Sequence, residues 1–276
     1  MKQLRRFGSA ALLTFAVVAH PFDGFAQEVS TDEIALRVVT YNIAAGRNAG
    51  MDEIAAVLDS LHPDIIGLQE VASNWEDVSA GMNQAEELGR RLGKEAFYAP
   101  IYTSEDNAGK ERGFGLAVLS TYPMLRRENH LITRLSTQEK DPVARPMPGF
   151  PEVTVSLNGA QVTVFNTHLD FRKDARVRRQ QVDDMLSIIG EMDEPVVLLG
   201  DMNARADAPE IQPLFRGFVD AWNRKGAPGF TGPVGNPDRR IDYVLFSRDC
   251  AVENVFVHNA ETSDHFPVVA DLICTF

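Results

Sequence analysis

The stretch VVLLGDMNARAD, Val196 to Asp207, runs five apolar or glycine residues straight into a carboxylate and an amide two positions apart, Asp201 and Asn203. Apolar residues without alternation mark a strand buried on both faces. Its polar end therefore emerges from a core at a fixed place. Other segments end the same way: Asn42 follows VVTY, Glu70 follows IIGLQ and His168 follows VFNT. Asp242 follows RRI, and Asp264 with His265 stands just before the last apolar run. One polar residue at a strand end is ordinarily a turn former. Six segments ending in carboxylate, amide or imidazole groups, with no thiolate, instead suit a hard cation such as Mg²⁺ or Mn²⁺ better than Zn²⁺.

Between these ends the pattern alternates strands with helices. Ile34 to Ile43 and Asp64 to Val71 read as buried strands. MDEIAAVLDSLH carries apolar residues at helical spacing, and QAEELGRRLG is a second helix closed by Gly93. From Phe97 to Val164 strands dominate (FYAPIYT, GFGLAVLS, EVTVSL, AQVTVFNTHL). A helix follows over Ala175 to Glu191, then the opening strand, then a short helix around Pro209 to Phe215. RRIDYVLFS, CAVENVFVH and FPVVADLICTF close the chain as strands. No internal repeat and no Pro/Gly/Ser linker separates the halves. Each half supplies strands and helices, so two facing sheets with helices outside, in one α/β domain over residues 36–276, is the economical arrangement.

The segments TYNI, LQEV, NTHLD, GDMNA, RIDYV and SDHFPVVADL resemble, in order, the motifs of the endonuclease/exonuclease/phosphatase superfamily. These are metal-dependent phosphoesterases that include DNase I-like nucleases, neutral sphingomyelinases and inositol-phosphate phosphatases. The resemblance runs from about Leu36 to Leu272 and implies a four-layered αββα sandwich with two mixed sheets and the site at one edge. It also implies roles. Asn42 and Glu70 would bind the main metal, with Asp264 close to it. His265 would be a general base or transition-state donor oriented by Asp242. Asp201 would align or deprotonate the attacking water, and Asn203 and His168 would contact the phosphoryl oxygens. The chemistry asks for such a set, since an anionic ester needs charge neutralisation, a fixed water and donors at its nonbridging oxygens. Two carry-overs stay open. Glu111 is either an acid supporting His168 or a solvated loop glutamate, and Arg145 either holds a phosphate or does not. Arg178 and Gln181 resemble an R-x-x-Q that often follows THLD in the family, whereas Arg176 and Arg179 are expected in water.

Residues 1–26 read as a signal peptide: Lys2, Arg5 and Arg6, then an apolar stretch too short to span a bilayer, then Gly24 and Ala26 before a cleavage point. An acidic lead-in covers residues 27–35. Export to the periplasm or beyond is expected, with no transmembrane segment in the mature chain and a monomeric state. The whole chain has a net charge of −12; residues 1–26 hold three basic residues and one acidic one, which leaves 24 against 38 and a balance of −14. That excludes an architectural nucleic-acid binder and leaves nucleic acid only as a substrate. Basic residues crowd the motif-adjacent loops (Arg47, Arg145, Arg172, Lys173, Arg205, Arg239, Arg240), either as a positive rim guiding an anionic phosphate ester or as scattered solvated charges. The only two cysteines, Cys250 and Cys274, either form one disulfide or stay as buried thiols; antiparallel pairing of their strands would bring them together. Nothing resembles an aromatic-tipped hairpin for a lipid surface or a basic tract for wrapping duplex DNA. An exported phosphoesterase, a secreted DNase I-like endonuclease and an inactive binding relative are the readings. The presence of Glu70, Asp201, Asp264 and His265 disfavours the last.

Overall fold

A computed structural model describes residues 33–276 apart from 192, 225 and 226. The expected signal peptide, and residues 27–32 of the lead-in, lie outside the described residues. In chain order the elements are β1 (Glu33–Asn42), α1 (Met51–Ser60), β2 (Ile65–Ser73), α2 (Glu76–Ser79), α3 (Gln84–Leu92), β3 (Glu95–Glu105) and β4 (Glu111–Ser120). They continue with β5 (Met124–Arg134), β6 (Arg145–Leu157), β7 (Ala160–His168), α4 (Arg176–Ile189), β8 (Val196–Asp201), α5 (Leu214–Gly217) and β9 (Val219–Asp220). The chain ends with β10 (Asp242–Phe246), β11 (Cys250–Val257) and β12 (Val268–Thr275). The first strand starts at Glu33, three residues ahead of the expected domain start.

Two six-stranded sheets result, in the orders β11-β12-β1-β2-β4-β3 and β5-β6-β7-β8-β10-β9. Both are mixed: β1 runs parallel to β2, and β7 parallel to β8, the other pairs being antiparallel. Alternation along the central strands explains the layers. Val38, Ile65, Val164, Val197, Leu199 and Val244 meet in one core between the sheets. Their neighbours Val39, Ile66 and Leu68 turn outward onto Ile54 and Leu58 of α1 and Leu88 of α3. Phe165, Leu198 and Leu245 turn outward onto Val182 and Met185 of α4 and Leu214 of α5. Three cores separate four layers, which is the αββα sandwich. Strands covered on both faces need no polar alternation, hence the unbroken apolar run at Val196.

The sheets lie close where Gly67 faces the other sheet: a Cβ there would lie 3.0 Å from Leu199 Cβ and 3.1 Å from Asn166 Cγ. At that approach a buried amide pair links the two sheets. Gln69 Nε2 donates to Asn166 Oδ1 at 2.7 Å, and Asn166 Nδ2 donates to the carbonyls of Leu68 and Ala117, both at 2.9 Å. Asn166 belongs to one sheet and all three partners to the other.

β5 carries too much charge to have been read as a strand. It is the edge of its sheet, where solvated charge is tolerated and discourages edge-to-edge pairing. Glu128 and Glu152 face each other across β5 and β6, and the His130 ring lies between them, 3.3 Å from one and 2.6 Å from the other. The expected helix around Pro209 to Phe215 is instead a series of turns leading into α5.

Cys250 and Cys274 are direct partners across β11 and β12 and are joined by a disulfide over a sequence separation of 24. The bridge closes the hairpin whose loop carries Asp264 and His265. In the chain-entropy account such a loop contributes about 3 kcal/mol. Reduction, or the double variant Cys250→Ala/Cys274→Ala, is therefore expected to lower the free energy of unfolding by that order. Denaturant curves with and without reductant check it, and coincident midpoints would refute it.

Candidate active site

The sequence brings β1, β2, β7, β8 and β10 to one edge, with their polar ends together. Gly200 makes the last turn of β8 possible: its φ of +151° belongs to glycine, and a Cβ would lie 2.3 Å from the Thr167 carbonyl oxygen. That close approach sets Asp201 beside His168, its register partner on β7.

Asp201 is 1% exposed and is the hub of the site. Its Oδ1 accepts the backbone N–H of Asn203 at 2.8 Å, and its Oδ2 accepts Asn42 Nδ2 at 3.2 Å. The same Oδ2 lies 3.5 Å from His168 Nε2 and 3.7 Å from His265 Nε2. Four of the expected residues thus converge on one carboxylate. On the far side of His265, Nδ1 stands 2.9 Å from Asp242 Oδ2 and 3.1 Å from Oδ1. Burial disfavours charge on the ring, but the Asp242 carboxylate, with Asp201 and Asp264, outweighs it and lifts the His265 pKa to about 10. Burial also pushes the Asp242 carboxyl up, an effect that the neighbouring His265 opposes.

Glu70 sits where β2 bulges against β4: the register slips between Leu68 and Val71, and Glu70 takes a left-handed φ of 54°. Gln69 thereby stays between the sheets while Glu70 turns to the edge. Its Oε1 accepts from Asn42 Nδ2 and its Oε2 from Arg47 Nη1, each at 3.3 Å. Asn203 is likewise left-handed, with φ of 47°, and its Nδ2 donates to the Leu169 carbonyl at 3.0 Å. Such conformations in residues other than glycine persist where surrounding structure over-determines them, commonly at functional sites.

The final loop is fastened to the same edge. Ser263 Oγ donates to the Asn42 carbonyl at 2.7 Å, and Tyr41 Oη lies 2.7 Å from Thr262 Oγ1. Thr231 Oγ1 accepts from the Ile241 and Asp242 backbone N–H groups at 3.1 and 3.3 Å, while the Phe266 N–H donates to its carbonyl at 2.7 Å. Asp264 is exposed, with Oδ1 3.3 Å from Ser263 Oγ.

Two expected residues stand apart. Glu111 is the exposed first residue of β4, opposite Glu105, and no described hydrogen bond joins its side chain to His168. Arg145 opens β6, is exposed, and is ion-paired with Glu139. Among the basic loop residues Arg172 pairs with Asp170, Arg239 with Asp238 and Arg240 with Asp220, whereas no described ion pair involves Lys173 or Arg205. Arg47 alone of that set is paired with a site carboxylate.

Other residues matter through position. Arg178 is buried, with Nη2 2.7 Å and Nε 3.0 Å from Glu210 Oε1, and its Nη1 donates to the Asp170 carbonyl at 2.9 Å. Gln181 Oε1 accepts the Asp170 N–H at 2.8 Å. The R-x-x-Q pair therefore holds the turn that follows His168, while Arg176 and Arg179 are exposed. The amide link through Gln69 and Asn166 was not singled out from sequence, though a polar residue at an inward strand position is a readable sign.

The model of the Endonuclease/Exonuclease/phosphatase family matches residues 39–265. No curated protein matches the chain. Among solved structures, an endonuclease/exonuclease/phosphatase from Beutenbergia cavernae is 24% identical, with a TM-score of 0.67 over 87% of this chain and 72% of that one. The human Nocturnin catalytic domain with bound sulfate anion is 19% identical, TM-score 0.63, covering 90% and 97%. The Bacteroides thetaiotaomicron mannosyl-6-phosphatase is 18% identical, TM-score 0.59, covering 86% and 99%. These likenesses establish the fold.

Proposed function

Because the chain belongs to the endonuclease/exonuclease/phosphatase family, we propose that it is an exported, divalent-metal-dependent phosphoesterase that hydrolyses its substrate with an activated water. The observation that carries this reading is the Asp201 hub, a buried carboxylate faced by one amide and two imidazoles.

A divalent cation fits the donor set. Glu70 already carries the Arg47 guanidinium at 3.3 Å, so this carboxylate attracts positive charge in the structure itself. Glu70 and Asp264 offer hard oxygens suited to Mg²⁺ or Mn²⁺. Asn42 would add its amide oxygen, which also accepts the Ala44 N–H at 3.0 Å. When bound, the metal would neutralise charge developing on the phosphoryl group.

The chain's own groups divide the rest. Asp201 remains the acceptor that aligns the attacking water and takes its proton. The Asp242 bond fixes Nδ1 of His265 as a donor, so Nε2 points to the hub. Asp242 raises the pKa of His265, which favours the charged ring as a donor to the phosphoryl oxygens. His168 Nε2 and the Asn203 amide, both beside Asp201, would contact the phosphoryl oxygens. The signal-like N-terminus and the single disulfide support an exported location.

Purified protein is expected to hydrolyse bis-p-nitrophenyl phosphate in Mg²⁺ or Mn²⁺ and to lose that activity in EDTA. Undiminished turnover in EDTA, or a requirement for Zn²⁺ alone, would overturn the reading.

A further inference from the structure

We propose that Arg134 is a positioning residue of this site: a buried positive charge, fastened to the His168 backbone, that draws the anionic group of an ester towards the Asp201 hub. The proposal rests on the phosphoesterase reading for placing that anion beside His168. Arg134 ends β5 and is buried, unlike Arg126, Arg127 and Glu128 on the same strand, which are exposed. Its Nη1 donates to the His168 carbonyl at 3.1 Å and its Nη2 to the Gly149 carbonyl at 2.7 Å, while Nε has no hydrogen-bond partner. Among the described residues no carboxylate forms an ion pair with it. Gly149 leaves room for the guanidinium, since a Cβ there would lie 3.0 Å from Arg134 Nη2.

The turn after β7 shows that holding a carbonyl does not call for such a charge. Three successive carbonyls there, those of His168, Leu169 and Asp170, each accept from a different side chain: Arg134, Asn203 and Arg178. Asn203 serves as a neutral amide. Arg178 serves as a guanidinium, but one answered by Glu210 at 2.7 Å. Arg134 brings in a charge with no acid paired against it. Burying a cation without a counter-charge is costly. Burial pulls the Arg134 pKa down to about 10, against Tyr102 and Asp170, which favour the charged form. Arginine keeps its proton at neutral pH all the same. The fold therefore retains a positive charge that no carboxylate of its own pairs with.

The cavity that Arg134 lines supplies a reason. It measures about 170 Å³, and the charged or imidazole groups on its wall are Arg134, Glu70, Asp170 and His168. Glu70 already pairs with Arg47, and Asp170 with Arg172. Of the described charges on this wall, that of Arg134 is the one left for an incoming anion. The rings of Tyr102, Phe114 and Phe171 line the same cavity. In such surroundings a fixed charge acts more strongly than it would in water. An ester whose phosphoryl group reaches His168 would supply the counter-charge. The guanidinium, held by two carbonyls beforehand, need not reorganise to meet it.

The test separates charge from packing with sulfate and methyl sulfate, which share a tetrahedral core, differ by one unit of charge and are not phosphate esters. Purified protein is titrated calorimetrically with each in Mg²⁺, and hydrolysis of bis-p-nitrophenyl phosphate is followed on the same samples. Arg134→Gln keeps a donor without the charge, and Arg134→Lys keeps the charge. A charge acting through space does so in proportion to the ligand's own, so Arg134→Gln should weaken methyl sulfate about threefold and sulfate about tenfold. Arg134→Lys should retain most of both affinities. Should Arg134→Gln fail to fold, Arg134→Met carries the same comparison with an apolar stem. Equal weakening of the two anions, no weakening, or Arg134→Lys as weak as Arg134→Gln would overturn the proposal. So would a wild type that binds no sulfate. A charge-dependent loss in a protein that hydrolyses no ester would instead refute the phosphoesterase reading and leave Arg134 as the charge of an anion site.

Discussion

Asp201→Ala and His265→Ala should each lower kcat on a phosphodiester by roughly 10²-fold or more, the loss expected for groups acting on the water and on developing charge. The two should also be strongly non-additive, because they face one another across 3.7 Å and act on the same reacting group. KM should move less than kcat. A variant of either that keeps near-wild-type turnover would end the role assignment. The charge state of His265 can be checked apart from catalysis. Its folded pKa lies above the unfolded value, so the stability it contributes is fully present below about 6.5 and is lost as pH rises through about 10. In chelator, the stability advantage of wild type over His265→Gln should narrow between pH 7 and pH 10. A gap that stays constant over that window would show that the ring is not held charged by Asp242.

The parts of this site legible in the sequence are those where a buried strand ends abruptly in a polar residue. Val196 to Asp201 shows this best: continuous burial requires a covered sheet, and the run stops at the residue the fold presents. The same logic located Asn42, His168 and Asp242. It could not show how Glu70 leaves its strand, because the bulge depends on pairing with β4 and not on local propensity. Glu111 and Arg145 mark the limit from the other side. Each is a charged residue near a motif, but where its side chain goes depends on strand register and on acids such as Glu139, which is six residues from Arg145. The pairing of several rim arginines was hidden for a related reason. A linear sequence shows the cations but not the carboxylates that the fold places on them, as with Asp220 on Arg240. The polar edge strand β5 shows little apolar period because most of its side chains stay in solvent, Ile132 being its one buried apolar residue.

Asn166→Ala should be among the most destabilising single changes in the chain, although Asn166 touches no reacting atom. The substitution leaves the carbonyls of Leu68 and Ala117 without the Asn166 donor and takes from Gln69 Nε2 its shortest acceptor, though that group keeps Thr40 Oγ1 and the Gly67 carbonyl, in a region fully removed from water. Each orphaned buried group costs about 1–3 kcal/mol, so a loss on the order of 4 kcal/mol is expected. For a domain of this size that corresponds to a fall of about 10 °C in Tm. Asn166→Leu separates the two possible origins. It refills much of the space but restores no hydrogen bond, so it should be nearly as damaging as alanine if the amide link is what matters. Near-wild-type stability of Asn166→Leu would show instead that the contact is packing alone. The amide link also reaches the site by a short route, because Gln69 precedes Glu70 in the bulge. Loosening it should let Glu70 drift from Asn42, so kcat/KM in limiting Mg²⁺ should fall further than in saturating Mg²⁺. A loss of stability with no such metal-dependent difference would confine Asn166 to holding the sheets together.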